Sequence, residues 1–343
     1  MDALTIDLSL HDNSTNKVNF FLPRKKILYL SWVEKYRPRK INHIILDDIT
    51  KTRINNFISK KEISNIIITG PPGTGKTSTI ICLAREIYKQ DYKNAVIELN
   101  ASDNRGLDSI NNNIIHFCKR KVDTQDNLPK LVILDEADNI TKKAQNTLIN
   151  LIEKYENTTK FAFTCNDYNK LIEGIQSRCI ILRYNTIQQI SMFNRLKSIC
   201  NKENIKYNVE GLETIIFISQ GDIRYAINCL ESCAYGFKSI TTNNVYKICE
   251  KPPRVQIEEI INLCQNKQLR DAIDKIMKIK NDGYCNNDIL LTIINVLKII
   301  DIDEDYRMSM LEIASNANMV INSGIDTDLQ LLKCICLFIN LCI

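Results

Sequence analysis

Gly70-Pro71-Pro72-Gly73-Thr74-Gly75-Lys76-Thr77 decides how the rest of the chain is read. It has the spacing of a phosphate-binding loop: glycine, four residues, then Gly-Lys-Thr. The apolar run Ile66-Ile67-Ile68 before it reads as a buried strand, and the segment from Thr79 to Tyr88 after it reads as a helix. That order is what the chemistry needs. Glycines at 70, 73 and 75 let the backbone bend until its N–H groups converge on phosphate oxygens at a helix N-terminus. Lys76 then reaches the β- and γ-phosphates, the Thr77 hydroxyl is placed for Mg²⁺, and Ser78 continues the loop into the helix. The expected ligand is a nucleoside triphosphate.

Outward from the loop, strand-like apolar runs fall at 65–69, 95–99, 131–134, 160–164 and 179–183. Helix-length segments separate them, most plainly 77–89, 104–120 and 142–155. Alternation of this kind predicts an α/β fold with a parallel five-stranded sheet covered on both faces. Ligands of such sheets bind at the C-terminal strand ends, so three further landmarks are expected beside the phosphate loop. Leu131-Val132-Ile133-Leu134 runs into Asp135-Glu136, where Asp135 would hold the metal and Glu136 would polarise the attacking water. Asn166 closes the run from Lys160, and its amide could bridge a γ-phosphate and that water. Ser177-Arg178-Cys179 stands just before the last strand.

Beyond Tyr184 the strand signal disappears, and 187–203, 209–219, 222–235 and 242–250 read as helices. Gly221-Asp222-Ile223-Arg224 opens one of them, with Arg224 in a first turn where the helix dipole mildly disfavours a cation. Pro252-Pro253 punctuates the chain, and only amphipathic helices follow to residue 343, the last of them very apolar. Such a helix is expected to pack against neighbours, within its own domain or between subunits. At the other end, 1–30 is polar and then basic, and reads as a flexible extension. Trp32 to Pro38 follows as an ordered, non-helical arm.

Composition narrows the class. The chain has 343 residues, 44% hydrophobic and 25% charged, which suits two or three domains with real cores. A net charge of +5 permits a nucleic-acid partner without demanding one. The thirteen cysteines lack zinc-type spacing and sit in apolar runs, so they are expected to be reduced core residues of an intracellular protein. Met1-Asp2 opens without the basic segment of a secretory leader, and the apolar tract from Cys334 to Ile339 is too short to span a bilayer, so no membrane association is expected.

In combination these residues resemble one family, the small subunits of replication factor C, the sliding-clamp loader of the AAA+ class. The resemblance runs from about residue 31 to the C-terminus. It rests on Trp-Val-Glu-Lys-Tyr-Arg-Pro at 32–38, the loop at 70–77, Glu-Leu-Asn-Ala-Ser-Asp at 98–103, Leu-Asp-Glu-Ala-Asp at 134–138, Ser-Arg-Cys at 177–179 and Gly-Asp-Ile-Arg at 221–224. Stretches at 161–166, 211–217 and 244–247 look most like subunit two of the vertebrate complex. The resemblance implies an AAA+ nucleotide-binding domain over 31–185, a helical lid over 186–250 and a helical collar over 251–343 that closes a five-subunit ring. It implies ATP as the nucleotide, with Val33 and Arg37 in an arm around the adenine. Asn166 and Arg224 would read the γ-phosphate in cis, and Arg178 would be an arginine finger aimed at a neighbouring subunit's ATP. Implied partners are the other replication factor C subunits of a hetero-pentamer, a sliding clamp and primer–template DNA, in the nucleus.

Three departures from the family pattern stand out. Asn111 and Ile149-Asn150 replace cations that many members carry on the DNA-facing side, and Gly174 stands where a proline is common. Arg105, Lys142 and Lys143 remain as candidate DNA contacts. Two other functions fit the same residues: a structural subunit shared with alternative, checkpoint loaders, and a different AAA+ remodeller such as a branch-migration helicase. Ser177-Arg178-Cys179 and the long helical C-terminus favour the loader over the latter.

Overall fold

A computed structural model describes residues 30–102, 107–122, 127–249 and 251–341. The five apolar runs form β1 (Ile66–Thr69), β2 (Val96–Asn100), β3 (Lys130–Asp135), β4 (Thr159–Cys165) and β5 (Ile180–Arg183). All pair in parallel, in the order β2-β3-β4-β1-β5. β1 therefore lies between β4 and β5, with Ile67 in register with Phe163 on one side and Ile181 on the other. Alternate residues of these strands serve two cores. Ile66, Ile68, Leu131 and Ile133 face one. Ile67, Val132, Leu134, Phe161 and Phe163 face the other. Each such side chain contributes about 1.5–3 kcal/mol by burial, which is why a continuous apolar run is needed rather than an alternating one.

The first core is roofed by α2 (Asp48–Lys60) and α3 (Lys76–Tyr88), and the second by α5 (Leu107–Lys119), α6 (Lys142–Lys154) and α7 (Glu173–Gln176). Single turns α1 (Trp32–Lys35) and α4 (Tyr92–Ala95) complete this region. α1 corrects the expectation of a non-helical arm. Pro38 restricts only the residue before it, Arg37. Ser31 O is thus free to accept from the N–H groups of Glu34 and Lys35, at 3.0 and 2.8 Å.

After β5 the chain forms a second, helical unit from α8 (Gln189–Lys202), α9 (Val209–Ser219), α10 (Ile223–Phe237) and α11 (Thr242–Cys249). The expected absence of strands here is also corrected. β6 (Lys206–Tyr207) and β7 (Ser239–Ile240) pair in parallel, each too short to leave a periodic signal. Met192, Leu196, Leu212, Ile215, Leu230 and Val245 form the core of this unit, and Trp32 of α1 belongs to it. So do Cys229 and Cys249, which form a disulfide between α10 and α11. Not every described cysteine is reduced, therefore. Two thiols twenty residues apart are brought together by the packing of two helices, which linear spacing does not reveal.

Past Pro253, α12 (Arg254–Gln265), α13 (Leu269–Asn281), α14 (Asn286–Leu297), α15 (Glu304–Asn322) and α16 (Asp328–Asn340) pack around a fourth core, wholly helical. The apolar stripe of α16, Leu331, Cys334, Ile335 and Phe338, is consumed within that core, while Leu329 and Leu337 stay exposed. Among the described residues no helix is long and apolar enough to cross a membrane.

Candidate nucleotide-binding site

The phosphate loop joins β1 to α3, so the strand order places it between the ends of β4 and β5. Gly73 has φ +70°, and a Cβ there would overlap the Asp222 carboxylate at the start of α10. Only glycine satisfies both the left-handed backbone and that approach. Lys76 is buried and folds back over the loop. Its ammonium donates to the carbonyl oxygens of Gly70 and Pro71, both at 2.8 Å, and to Asn166 Oδ1 at 2.9 Å. Burial pushes its pKa below the usual lysine range, with Arg224 adding to that push and Asp135 and Asp138 opposing it. A cation held partly desolvated beside backbone N–H groups is a receptor for phosphate.

One residue along, Thr77 Oγ1 donates to both carboxylate oxygens of Asp135, at 2.8 and 3.0 Å. Thr164 of β4 also donates to Asp135. Asp135 ends β3, which β4 separates from β1, so a hydroxyl from α3 and a carboxylate from two strands away meet beside the lysine. Hard oxygen donors so arranged suit Mg²⁺. Among the described residues no group of three His, Cys, Asp or Glu could hold a metal ion; Mg²⁺ is ordinarily bound by one or two protein oxygens together with phosphate and water. Glu136 takes a left-handed conformation, φ 53°, which lifts its side chain out of the strand line and leaves it exposed at the cleft. Its N–H donates to Thr164 Oγ1 at 3.3 Å.

These groups line one cleft of about 240 Å³ that also takes in the helical unit. Val33, Arg37, Pro72, Gly73, Thr74, Gly75, Lys76, Thr77, Ser78, Asp135, Glu136, Asn166 and Arg224 all border it. Gly70 and Pro71 lie behind the wall and act through their carbonyls on Lys76. Arg37 Nε donates to Ser78 Oγ at 3.4 Å, joining the arm to the loop. Arg224 follows Asp222, the N-cap of α10, whose side chain accepts from Tyr225 N at 3.0 Å.

The cleft also contains residues that the sequence did not single out: His43, Ile44, Ile45, Ile187, Arg195 and Ile227. Ile223 and Ile227 sit one turn apart on the helix that carries Arg224, and that spacing is the one signal available. Apolar residues of a ligand wall look like core residues in a sequence.

Arg178 is not in the cleft, which corrects the expectation that all three landmarks share one edge. It precedes β5, and its carbonyl accepts from Asn65, the residue before β1. In a parallel sheet that is the opposite edge from the loop, a strand's length or roughly 13 Å away at about 3.3 Å per residue. Its guanidinium pairs with Glu153 of α6 and donates to Gly174 O at 2.9 Å. Gly174 is also where two departures from the family pattern meet, since a Cβ there would lie 2.4 Å from Ile149 Cδ1. The missing side chain at 174 makes room for the isoleucine at 149.

Lys142 and Lys143 open α6 with exposed side chains. Arg105 lies outside the described residues.

A phosphate loop, a strand-ending carboxylate pair and a helical second unit bearing an arginine define an AAA+ ATPase, which binds and hydrolyses nucleotide. Residues 66–186 match the ATPase family associated with various cellular activities, 194–235 the RCF1/5-like AAA+ ATPase lid domain, and 252–336 the replication factor C C-terminal domain. A putative replication factor C small subunit of Acanthamoeba polyphaga mimivirus is 42% identical over 91% of this chain and 97% of its own length. Probable replication factor C subunit 2 of Dictyostelium discoideum is 40% identical over 88% of this chain and 90% of its own. Replication factor C subunit 4 of Saccharomyces cerevisiae is 40% identical, over 89% and 94%. The chain belongs to the replication factor C small-subunit family. Its relatives in different organisms carry subunit-2 and subunit-4 names. The Holliday junction branch migration motor RuvB of Thermotoga maritima shares the fold, with a TM-score of 0.52 at 16% identity over 75% of this chain and 90% of that one.

Proposed function

We propose that this chain is an ATP-hydrolysing small subunit of a clamp loader, which works with other replication factor C subunits to open a sliding clamp and load it on primed DNA during nuclear DNA replication. The observation that carries the reading is the meeting of Lys76, Thr77, Asp135 and Asn166 within hydrogen-bond distance, in a cleft bordered by Arg224 of the lid.

In this reading the loop N–H groups and Lys76 hold the triphosphate. Thr77 and Asp135 hold Mg²⁺, which when bound would neutralise charge on the phosphate oxygens. Glu136 orients and polarises the attacking water, and Asn166 and Arg224 register the γ-phosphate. Arg178 serves the neighbouring subunit's ATP, because it lies a strand's length from its own phosphate loop. Lys142 and Lys143, with Arg105, supply phosphate contacts to DNA.

The test is ATP turnover by the chain alone and with partner subunits, clamp and primed DNA. Feeble turnover alone and stimulation by clamp and DNA together are expected. Full activity of the isolated chain, indifferent to both additions, would overturn the reading. Changing Lys142 and Lys143 to alanine should reduce the salt slope of DNA binding by about 2, at roughly 0.9 per phosphate contact.

A further inference from the structure

The arm that borders the cleft is divided between two bodies, and the division falls between Tyr36 and Arg37, whose Nε donates to Ser78 Oγ of α3 at 3.4 Å. From Pro38 onward the chain is anchored on α3: Cys82 Sγ donates to Pro38 O at 3.3 Å, and Ile41 N donates to Glu86 Oε1 at 3.0 Å. Residues 32–36 are anchored on the lid instead. Trp32 is buried in the lid core, and its backbone N–H donates to Glu231 Oε2 of α10 at 2.9 Å. Arg195 of α8 donates to the Tyr36 carbonyl oxygen at 2.6 Å. Glu203, immediately after α8, takes two donors on one oxygen: Lys35 Nζ at 2.5 Å, and the Tyr36 hydroxyl.

Glu203 is the part of this clasp that carries charge and reaches two arm residues at once. Its side chain is 18% exposed, so its bonds to Lys35 and Tyr36 are only partly screened. Charge-assisted hydrogen bonds of this kind are short and about twice as strong as neutral ones. Burial pushes the Glu203 pKa up, but hydrogen bonds from Lys35 and Tyr36 outweigh that and hold it below the usual carboxylate range. Burial and the Glu203 bond push the Tyr36 phenol far up, so it stays a donor at any physiological pH. Of the two arm residues bound to this carboxylate, Tyr36 borders the cleft, as do Val33 in the same short helix as Lys35, and Arg195, Ile187 and Ile227 on the lid side.

We propose that Glu203 is a positioning residue that locks the base-holding arm to the lid, so that arm and lid close over the base end of the cleft as one body. This rests on the reading that the arm around Val33 holds the base. The apolar lid residues and the arm then form one wall, and the loop around Lys76 forms the other. Base binding then engages arm and lid together, whereas a triphosphate without a base reaches the lid only through Arg224.

The experiment compares ATP with inorganic tripolyphosphate, which has phosphates but no base, on the full chain. Glu203→Ala should weaken ATP binding about tenfold and leave tripolyphosphate within about twofold, corresponding to about 1.4 kcal/mol on the base end alone. Glu203→Gln keeps the acceptor for Tyr36 but loses the Lys35 pair, and should fall between. In a Tyr36→Phe, Lys35→Met background, Glu203→Ala should add nothing. Equal weakening of both ligands, or of neither, would overturn the proposal. Val33→Ala separates the two layers. If it leaves the ATP-to-tripolyphosphate ratio unchanged, the arm does not hold the base. If it lowers that ratio while Glu203→Ala does not, only the positioning role fails.

Discussion

Lys76 Nζ donates to Asn166 Oδ1 at 2.9 Å, a bond that joins the phosphate loop to the end of β4 across ninety residues of sequence. A phosphate that draws the ammonium to itself competes with that amide oxygen. Occupancy of the loop and the state of Asn166 are therefore linked through one hydrogen bond.

Removing the two ends of this machinery should have different effects. Lys76→Ala removes a buried cation aimed at phosphate, and a charged hydrogen bond is worth about 1.5–3 kcal/mol, so ATP affinity should fall at least about tenfold. Glu136→Gln leaves the loop intact and should keep affinity while stopping turnover. Nucleotide titration and single-turnover assays on both variants check this, and equal loss of binding in the two would remove Glu136 from its role.

Arg178→Ala should leave ATP bound at Lys76 of the same chain and abolish hydrolysis at the adjoining subunit. Arginine fingers contribute about 10³–10⁵ in turnover in GTPases, which sets the upper scale. Complexes carrying this one substitution, counted for hydrolysing sites in a single turnover, give the answer. An isolated chain that is active and loses its activity with Arg178→Ala would exclude action in trans.

Gly73→Ala should weaken nucleotide binding without unfolding the sheet. A left-handed backbone costs a residue with a Cβ about 1–2 kcal/mol. The new methyl also displaces the Asp222 carboxylate, and loss of that cap from Tyr225 N costs about 1 kcal/mol more. Asp222→Ala alone should show only the second effect in thermal unfolding, with the loop still competent for tripolyphosphate.

Cys229 and Cys249 should resist alkylation in denatured, unreduced protein and become labelled after reduction. Opening a loop of twenty residues should lower stability by up to roughly 3 kcal/mol in the chain-entropy account. Peptide mass mapping with and without reductant, followed by denaturant titration, measures both.

The parallel sheet was legible because strands buried on both faces, here β1, β3 and β4, must be continuous apolar runs, and all five strands, the half-exposed edges β2 and β5 included, appear within a residue or two of the expected positions. Phosphate-end residues were legible for a related reason. Lys76, Asp135 and Asn166 carry chemistry that few other contexts require at those spacings. The apolar part of the cleft was silent apart from Val33 and Arg37, which the family resemblance supplied, since Ile187 and Ile227 are indistinguishable from core. α2 escaped notice because its face is mostly polar and only Thr50 and Ile54 are buried on it. The edge occupied by Arg178 depends on strand direction, which a landmark placed before rather than after a strand already encodes.

Gly70 has no side chain where a Cβ would come within 2.4 Å of the Tyr184 carbonyl oxygen, and Tyr184 N donates to Thr69 O at 2.7 Å. Tyr184 is the residue at which the chain leaves the sheet for α8. One of the crossings between the sheet and the helical unit thus packs directly against the first glycine of the phosphate loop. A bulkier residue at position 70 would press on that crossing and on the loop at once.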